Sequence, residues 1–312
     1  MKISVQMTIR DEEFYIGMAL QSVVDRAYGV YVLDTGSKDR TVEVVKEYQS
    51  KYPNIVLEEK SFGGNRKWDI TEWDNERHLP TVGYREADAR NYTRQRMEEE
   101  FPDYEWTILL DADEIVTDRM FDEIERVSKE GATMLGHATH LPLFPTLLLE
   151  EPKKSYFRPI TDDLGAPGRK EIILFDPHYR AWSKNILTTW GYSKFNHIHS
   201  SFSPCTNRTV SIEELHHHFH YSFGPKSIPG WICKWTSAPQ GFAKSVGILY
   251  GEWDVQKHYE EKFPDWFSGG KFRPKKEFLQ EALARCVPMK YPLPDYVVEK
   301  WNEWGDWNEF ER

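Results

Sequence analysis

Three apolar runs in the first part of the chain end in acids: "ISVQMTIRDEE" (residues 3–13), "VYVLD" (30–34) and "WTILLDADEIV" (106–116). Runs of this length are strand-like, and the stretches between them carry apolar residues at helical spacing. A chain that alternates strand and helix in this way is restricted to a sheet with helices packed on its faces. Its strands are mainly parallel, because each return passes through a crossover. Acids that follow parallel strands collect along one rim, and that rim is where open α/β sheets bind ligands.

The alternation in Lys2–Ile9 predicts the first strand. It is followed by a helix with Asp11 as N-cap that runs to about Val24, with Phe14, Met18 and Leu20 among its apolar positions. After "VYVLD", the segment "TGSKDRTVEVVKEY" offers Gly36 for a tight turn and Ser37 or Asp39 as caps. Val42, Val45 and Tyr48 then share a helical face. "NIVLEEK" supplies a third strand, and residues 61–83, with Gly63, Gly64 and Pro80, are expected to form a long loop. A helix over 84–101 leads to the strand Trp106–Leu110, and a further helix spans Thr117–Lys129.

Farther along, "ATMLGHATHLPLF" (132–144) and "KEIILFD" (170–176) are expected as strands. "TVSIEELHHHFHYSF" (209–223) is open between a strand and a short helix followed by a strand. From Pro225 the pattern is mixed helix and loop, rich in aromatics. The expected fold class is therefore α/β, a Rossmann-like, mainly parallel sheet flanked by helices, with a mostly helical C-terminal extension.

Composition narrows the function classes. At 39% hydrophobic, 14% aromatic and 29% charged residues the chain is globular rather than disordered. Its formal charge of −10 lacks the broad basic field that DNA, RNA or anionic lipid usually requires. A local basic group of Arg66, Lys67, Arg158, Arg169 and Lys170 is the exception. Cys205, Cys233 and Cys286 are odd in number, widely spaced and without CxxC, which points away from a disulfide framework or thiolate zinc site and towards a reducing cytoplasm. No stretch approaches the roughly 18 continuous apolar residues of a membrane span, so a soluble protein is expected.

Asp11 and Glu12, Asp34, and Asp111 with Asp113 all follow predicted strands. Several carboxylates on one rim repel one another unless a cation sits among them, and a hard divalent ion suits oxygen donors. Taken singly, each acid has a plainer reading as a helix cap or turn residue, Asp39 and Asp118 especially.

"VLDTGSKDRTVEVV", "ADARNYTRQRM" and "TILLDADEIV", in this order, resemble the GT-A fold of family-two nucleotide-sugar glycosyltransferases over roughly residues 1–120. The resemblance implies that Thr8, Arg10, Glu12 and Asp34 lie at the donor nucleotide, with Asp34 accepting a hydrogen bond from a uracil ring. The family commonly has Asn-Glu where this chain has Asp11-Glu12. Arg90 is similar to the family residue near the donor's phosphates or ribose, where a planar guanidinium can pair with phosphate oxygens. Its alternative is a helix-surface pair with Glu86, worth only about 0.3–0.5 kcal/mol. "DAD" matches the family's D-x-D motif. Asp113 would bind Mn²⁺ or Mg²⁺ directly, and Asp111 would face the ribose or reach the ion through water. The cation would stabilise charge developing on the leaving diphosphate.

Six of the eleven histidines lie between positions 197 and 220. His197 and His199, like His218 and His220, are spaced i, i+2 and in strands would share a face. Either His218 or His220 is the expected third ligand of the metal; the alternatives are a structural histidine run and a separate zinc site. A catalytic base is sought among Asp162, Asp163, Glu171 and Asp176, with Asp163 ranked first. The tryptophans of the tail, Trp231, Trp235, Trp253, Trp266, Trp301, Trp304 and Trp307, suit helix packing or stacking on an acceptor sugar.

The expected activity is transfer of a sugar from a UDP-linked donor to an acceptor hydroxyl, with inversion. Residues 1–120 would form the donor half, 121–224 the acceptor half and 225–312 the extension. The rival readings are a glycosyltransferase acting on a hydroxymethylated base in DNA, of viral type, and a catalytically silent carbohydrate- or nucleotide-binding protein that kept the fold.

Overall fold

A computed structural model of the chain describes residues 1–63, 72–74, 79–82, 85–137, 141–144, 147–149, 178–191, 199–202, 209–211, 215–218, 267–268, 271–272, 286–289 and 291–304. In chain order its elements begin with β1 (Ile3–Ile9), α1 (Ile16–Gln21), β2 (Gly29–Asp34), α2 (Thr41–Gln49), β3 (Ile55–Glu59), β4 (Glu72–Asp74), β5 (Leu79–Val82), α3 (Glu86–Glu100) and β6 (Trp106–Leu109). They continue with β7 (Glu114–Val116), α4 (Asp118–Lys129), β8 (Met134–His137), β9 (Leu141–Phe144), β10 (Leu147–Leu149), β11 (His178–Ser183), β12 (Thr188–Gly191) and β13 (His199–Phe202). The last are β14 (Thr209–Ser211), β15 (His216–His218), β16 (Phe267–Ser268), β17 (Lys271–Phe272), β18 (Cys286–Pro288) and α5 (Asp295–Trp304).

The main sheet has the order β14-β8-β11-β6-β1-β2-β3 among the described residues. β1 runs parallel to both β2 and β6, and β2 parallel to β3. β11 is antiparallel to both its neighbours, β6 and β8, while β14 and β8 are parallel. The mainly parallel α/β sheet that the GT-A resemblance implies is therefore present. The chain builds outwards from β1 through β2 to β3, then returns through α3 to place β6 on the other side of β1. That reversal of order opens a crevice at the carboxyl ends of β1 and β6.

β1 is buried along its whole length and has two different faces. Ile3, Val5, Met7 and Ile9 point into the larger core with Val30, Val32, Ile108, residues of α1, and Met120, Phe121, Ile124 and Val127 of α4. Fully burying one such side chain stabilises the fold by about 1.5–3 kcal/mol. The alternate residues Ser4, Gln6 and Thr8 are polar yet buried. They lie on the side covered by α3, where the Gln6 amide donates to Thr107 Oγ1 and the Thr8 and Thr93 hydroxyls are 2.7 Å apart. Small residues on α3, Ala89 and Thr93, let its backbone approach the sheet. Glu58 ties the helix down further: Tyr31, Tyr92 and Arg96 all donate to its carboxylate. Burial opposes the charge of Glu58, but these donors outweigh it and lower its pKa.

Several elements differ from the sequence expectation. Asp11 is not an N-cap. It sits at φ 52°, a turn from Glu12 to Ile16 follows, and α1 is only six residues long. The loop of residues 61–83 contains the antiparallel pair β4 and β5, too short for periodicity to be read. "ATMLGHATHLPLF" divides into β8 of the main sheet and β9, which joins β10 and β18 in a second sheet. "TVSIEELHHHFHYSF" contains two strands, β14 and β15. The strand expected at 170–176 lies outside the described residues. In the extension, α5 buries Val297 and Arg119 of α4 stacks over Tyr291, while β16, β17 and β18 are strands within a region expected to be mostly helical. Trp301 and Trp304 lie on α5, and the other tail tryptophans lie outside the described residues. No helix among the described residues is long and apolar enough to cross a membrane.

Candidate active site

The rim after β2 is built from local hydrogen bonds. Asp34 is buried, and its Oδ1 accepts the backbone N–H groups of Gly36 and Ser37 at 2.9 and 3.0 Å. The Ser37 hydroxyl donates to its Oδ2. Gly36 has φ +110°, a conformation that an L side chain rarely adopts. The loop is also clasped to the end of β1. Asp11 N–H donates to Ser37 Oγ, Lys38 N–H to Asp11 Oδ1, and Glu12 N–H to Thr41 Oγ1. Asp39 accepts from Thr41 N–H at the start of α2, but the N-cap position itself is Arg40, not the Ser37 or Asp39 expected. A carboxylate has about four acceptor positions, so these three donors leave Asp34 room for one more at Oδ2.

Arg10 is buried at the end of β1, where its Nη1 donates to the Gly63 carbonyl at 3.4 Å. Glu12, two residues further on, is also buried. Thr8 is engaged with Thr93, one helical turn from Arg90 on α3.

The rim after β6 is held by charge. Leu110 N–H continues the ladder to Gln6 of β1, and the chain then turns from Asp111 to Glu114, closed by Glu114 N–H to the Asp111 carbonyl at 3.1 Å. The Glu114 carboxylate accepts the Asp111 N–H at 3.0 Å. Two arginines converge on the turn. Arg90 Nη2 lies 2.8 Å from Asp111 Oδ1, and Arg180 Nη1 lies 3.1 Å from Asp111 Oδ2. Arg180 also pairs through Nη2 with Glu114, whose side chain is wholly buried. Burial opposes the charge of Arg180, but the Glu114 and Asp111 carboxylates outweigh it and raise its pKa. Arg90 additionally pairs with Glu86 at 3.0 Å and lies over the Trp190 ring at 4.9 Å. The Glu86 pair, read from sequence as a surface contact, is thus part of a largely buried network. Asn91 and Trp190 exchange two hydrogen bonds of 2.8 Å each, which fixes β12 against α3 beside that ring.

Asp113 is buried between Asp111 and Glu114 in this turn, 6% exposed. β15 pairs antiparallel with β7, and its register sets His218 opposite Glu114. His217, which the spacing argument passed over, is fully buried. His197, His220 and the base candidates Asp162, Asp163, Glu171 and Asp176 lie outside the described residues, as do Arg66, Lys67, Arg158, Arg169 and Lys170. Arg180 was missed by the sequence reading. The signal was present in "HYRAWS": an arginine inside a short strand-like run needs a buried partner.

The donor set suits a hard cation in one way only. Asp111 has a guanidinium on each oxygen, and that positive charge disfavours a cation bound directly to the same carboxylate. Asp113 supplies the remaining carboxylate of the D-x-D pair. Among the described residues no group of three His, Cys, Asp or Glu side chains is gathered for a metal. One or two protein carboxylates completed by substrate phosphates and water is the usual arrangement for Mg²⁺.

Residues 4–66 match the sequence model of glycosyl transferase family 2. The match runs from β1 to just past β3, within the region where the motifs carried the resemblance to family-two glycosyltransferases. No curated protein matches the chain. Among solved structures, residues 1–349 of S. aureus TarS are 14% identical with a TM-score of 0.44, covering 91% of this chain and 79% of that one. A Pyrobaculum calidifontis mannosyltransferase in complex with GDP-Man and Mn²⁺ is 16% identical with a TM-score of 0.32, covering 44% of this chain and 35% of that one. Glucosyl-3-phosphoglycerate synthase from Mycobacterium tuberculosis, in complex with Mn²⁺ and UDP-glucose, is 18% identical with a TM-score of 0.28, covering 44% and 43%.

Proposed function

We propose that the chain transfers a sugar from a nucleotide-sugar donor, UDP-linked, to an acceptor hydroxyl, using a divalent cation held at Asp113. The observation that carries this reading is the position of the Asp111–Glu114 turn: it lies at the carboxyl end of β6, beside β1, where the strand order reverses. The family match over β1–β3 supports it.

In this reading the base and ribose rest on the β1 and β2 rims. Arg10 and Glu12 line the end of β1, and the remaining acceptor position of Asp34 takes an N–H of the uracil ring. Asp111, fixed by its arginines, faces the ribose or an outer water of the ion. When bound, the cation offsets the negative charge that develops on the departing diphosphate. Arg90 stands at the same rim as a second positive group towards those phosphates. His218, set beside Glu114 by the β7–β15 register, is the histidine we assign to the ion. A carboxylate from the 121–224 region, Asp163 or Glu171, removes the proton of the acceptor hydroxyl, and the reaction inverts the anomeric centre.

A panel of UDP- and GDP-sugars, scored by release of the free nucleotide with Mn²⁺, tests the reading. Release from a UDP-sugar that requires both Mn²⁺ and an acceptor hydroxyl is the expected result. Binding of donors without release from any of them would favour a silent binding protein, and release dependent on hydroxymethylated DNA would favour the DNA-modifying alternative.

A further inference from the structure

Arg180 reaches the rim from β11, which is antiparallel to both of its neighbours in the main sheet. The β11–β8 register shifts between Tyr179 and Ala181, so Arg180 is the residue at the irregularity. Bulges of this kind re-aim a side chain and gather beside functional sites. Here the guanidinium is aimed at both ends of one four-residue turn, Asp111 through Nη1 and Glu114 through Nη2. Glu114 closes the same turn through the Asp111 N–H, and Arg90 grips the other oxygen of Asp111. A planar fork can span two carboxylates in this way, whereas an ammonium is a point charge.

We propose that Arg180 is a positioning residue of the donor site: it fixes both ends of the Asp111–Glu114 turn and so sets Asp113 as the carboxylate through which the turn contacts a divalent cation. The inference rests on the donor-site reading given above. It also assigns Asp111 an outer role, because the guanidinium beside each of its oxygens repels a directly bound cation. A residue that orients a ligand from behind it typically changes metal affinity by about 10–100-fold when removed. An arginine that only screened charge would act in the opposite direction. Stripping a positive charge from beside a cation strengthens the binding of that cation.

The sign of the effect therefore decides. Mn²⁺ affinity at saturating UDP, read by electron paramagnetic resonance of free Mn²⁺, is compared for the full chain and its Arg180→Met and Arg180→Lys variants, with thermal unfolding followed in parallel. Both variants are expected to bind Mn²⁺ about 10–100-fold more weakly, and Arg180→Met should add little further loss in an Asp111→Asn background. Unchanged or tighter Mn²⁺ binding by Arg180→Met, or wild-type affinity in Arg180→Lys, overturns the positioning role and leaves the donor site standing. Should neither of these variants fold, Arg180→Gln keeps a hydrogen-bonding amide without the charged fork; weaker Mn²⁺ binding supports the proposal, and unchanged or tighter binding overturns it. Absence of Mn²⁺-dependent UDP binding by the wild-type chain sinks the donor-site reading and this inference together.

Discussion

Two rims of the same sheet hold their aspartates by different physics. After β2, Asp34 is held by backbone N–H groups and a hydroxyl two and three residues away. After β6, Asp111 is held by guanidinium groups 21 and 69 residues away. The first arrangement is complete once a short loop has formed. The second exists only when α3 and β11 have both packed beside β6. A rim built locally is tolerant because its donors are main-chain groups that most substitutions leave in place. A rim built from buried charges is rigid but exposed to the loss of any one member, since each ion left alone in the interior is uncompensated.

This contrast yields four predictions, beginning with the largest effect. Asp113→Ala is expected to abolish Mn²⁺-dependent UDP binding in calorimetric titration while the far-ultraviolet circular dichroism spectrum stays unchanged; UDP binding at wild-type strength would remove Asp113 from the site. Glu114→Ala should cost about 3–5 kcal/mol of stability, because it leaves Arg180 buried beside a missing partner. Urea denaturation measures this, and a cost under about 1 kcal/mol, the range of surface pairs, would mean that the β6 rim does not depend on its buried charges. Asp34→Ala should cost about 1–3 kcal/mol by the same method, the range for stranded hydrogen-bonding groups. If it proved the more damaging of the two, the contrast between the rims would be reversed. Gly36→Ala should cost about 1–2 kcal/mol, the penalty for a side chain at positive φ, and stability equal to wild type would show that the loop relaxes freely.

The same contrast explains what could be read from the sequence. Asp34, Gly36, Ser37 and Asp39 lie within six residues, and their types alone specify a turn followed by a helix. The apolar run Trp106–Leu110 likewise announces β6, observed at Trp106–Leu109 with Leu110 still on the ladder to Gln6. Arg90 was legible as a candidate but its partner was not: Glu86 is one helical turn away, whereas Asp111 becomes a neighbour only through tertiary packing. For Arg180, an arginine in a strand-like run signalled a buried partner but not which one, with separations of 69 and 66 residues to Asp111 and Glu114. The histidine run was conspicuous, yet its spacing could not say that β15 would pair with β7 and bring His218 level with Glu114. Asp11 misled because an acid before an apolar run signals a cap, while here its side chain instead accepts from the β2 loop.

The most direct test of the account is titration of the wild-type chain with UDP in the presence of Mn²⁺ and again in EDTA. The account predicts binding that depends on the cation and is lost in EDTA. Equal UDP affinity with and without Mn²⁺ would contradict it.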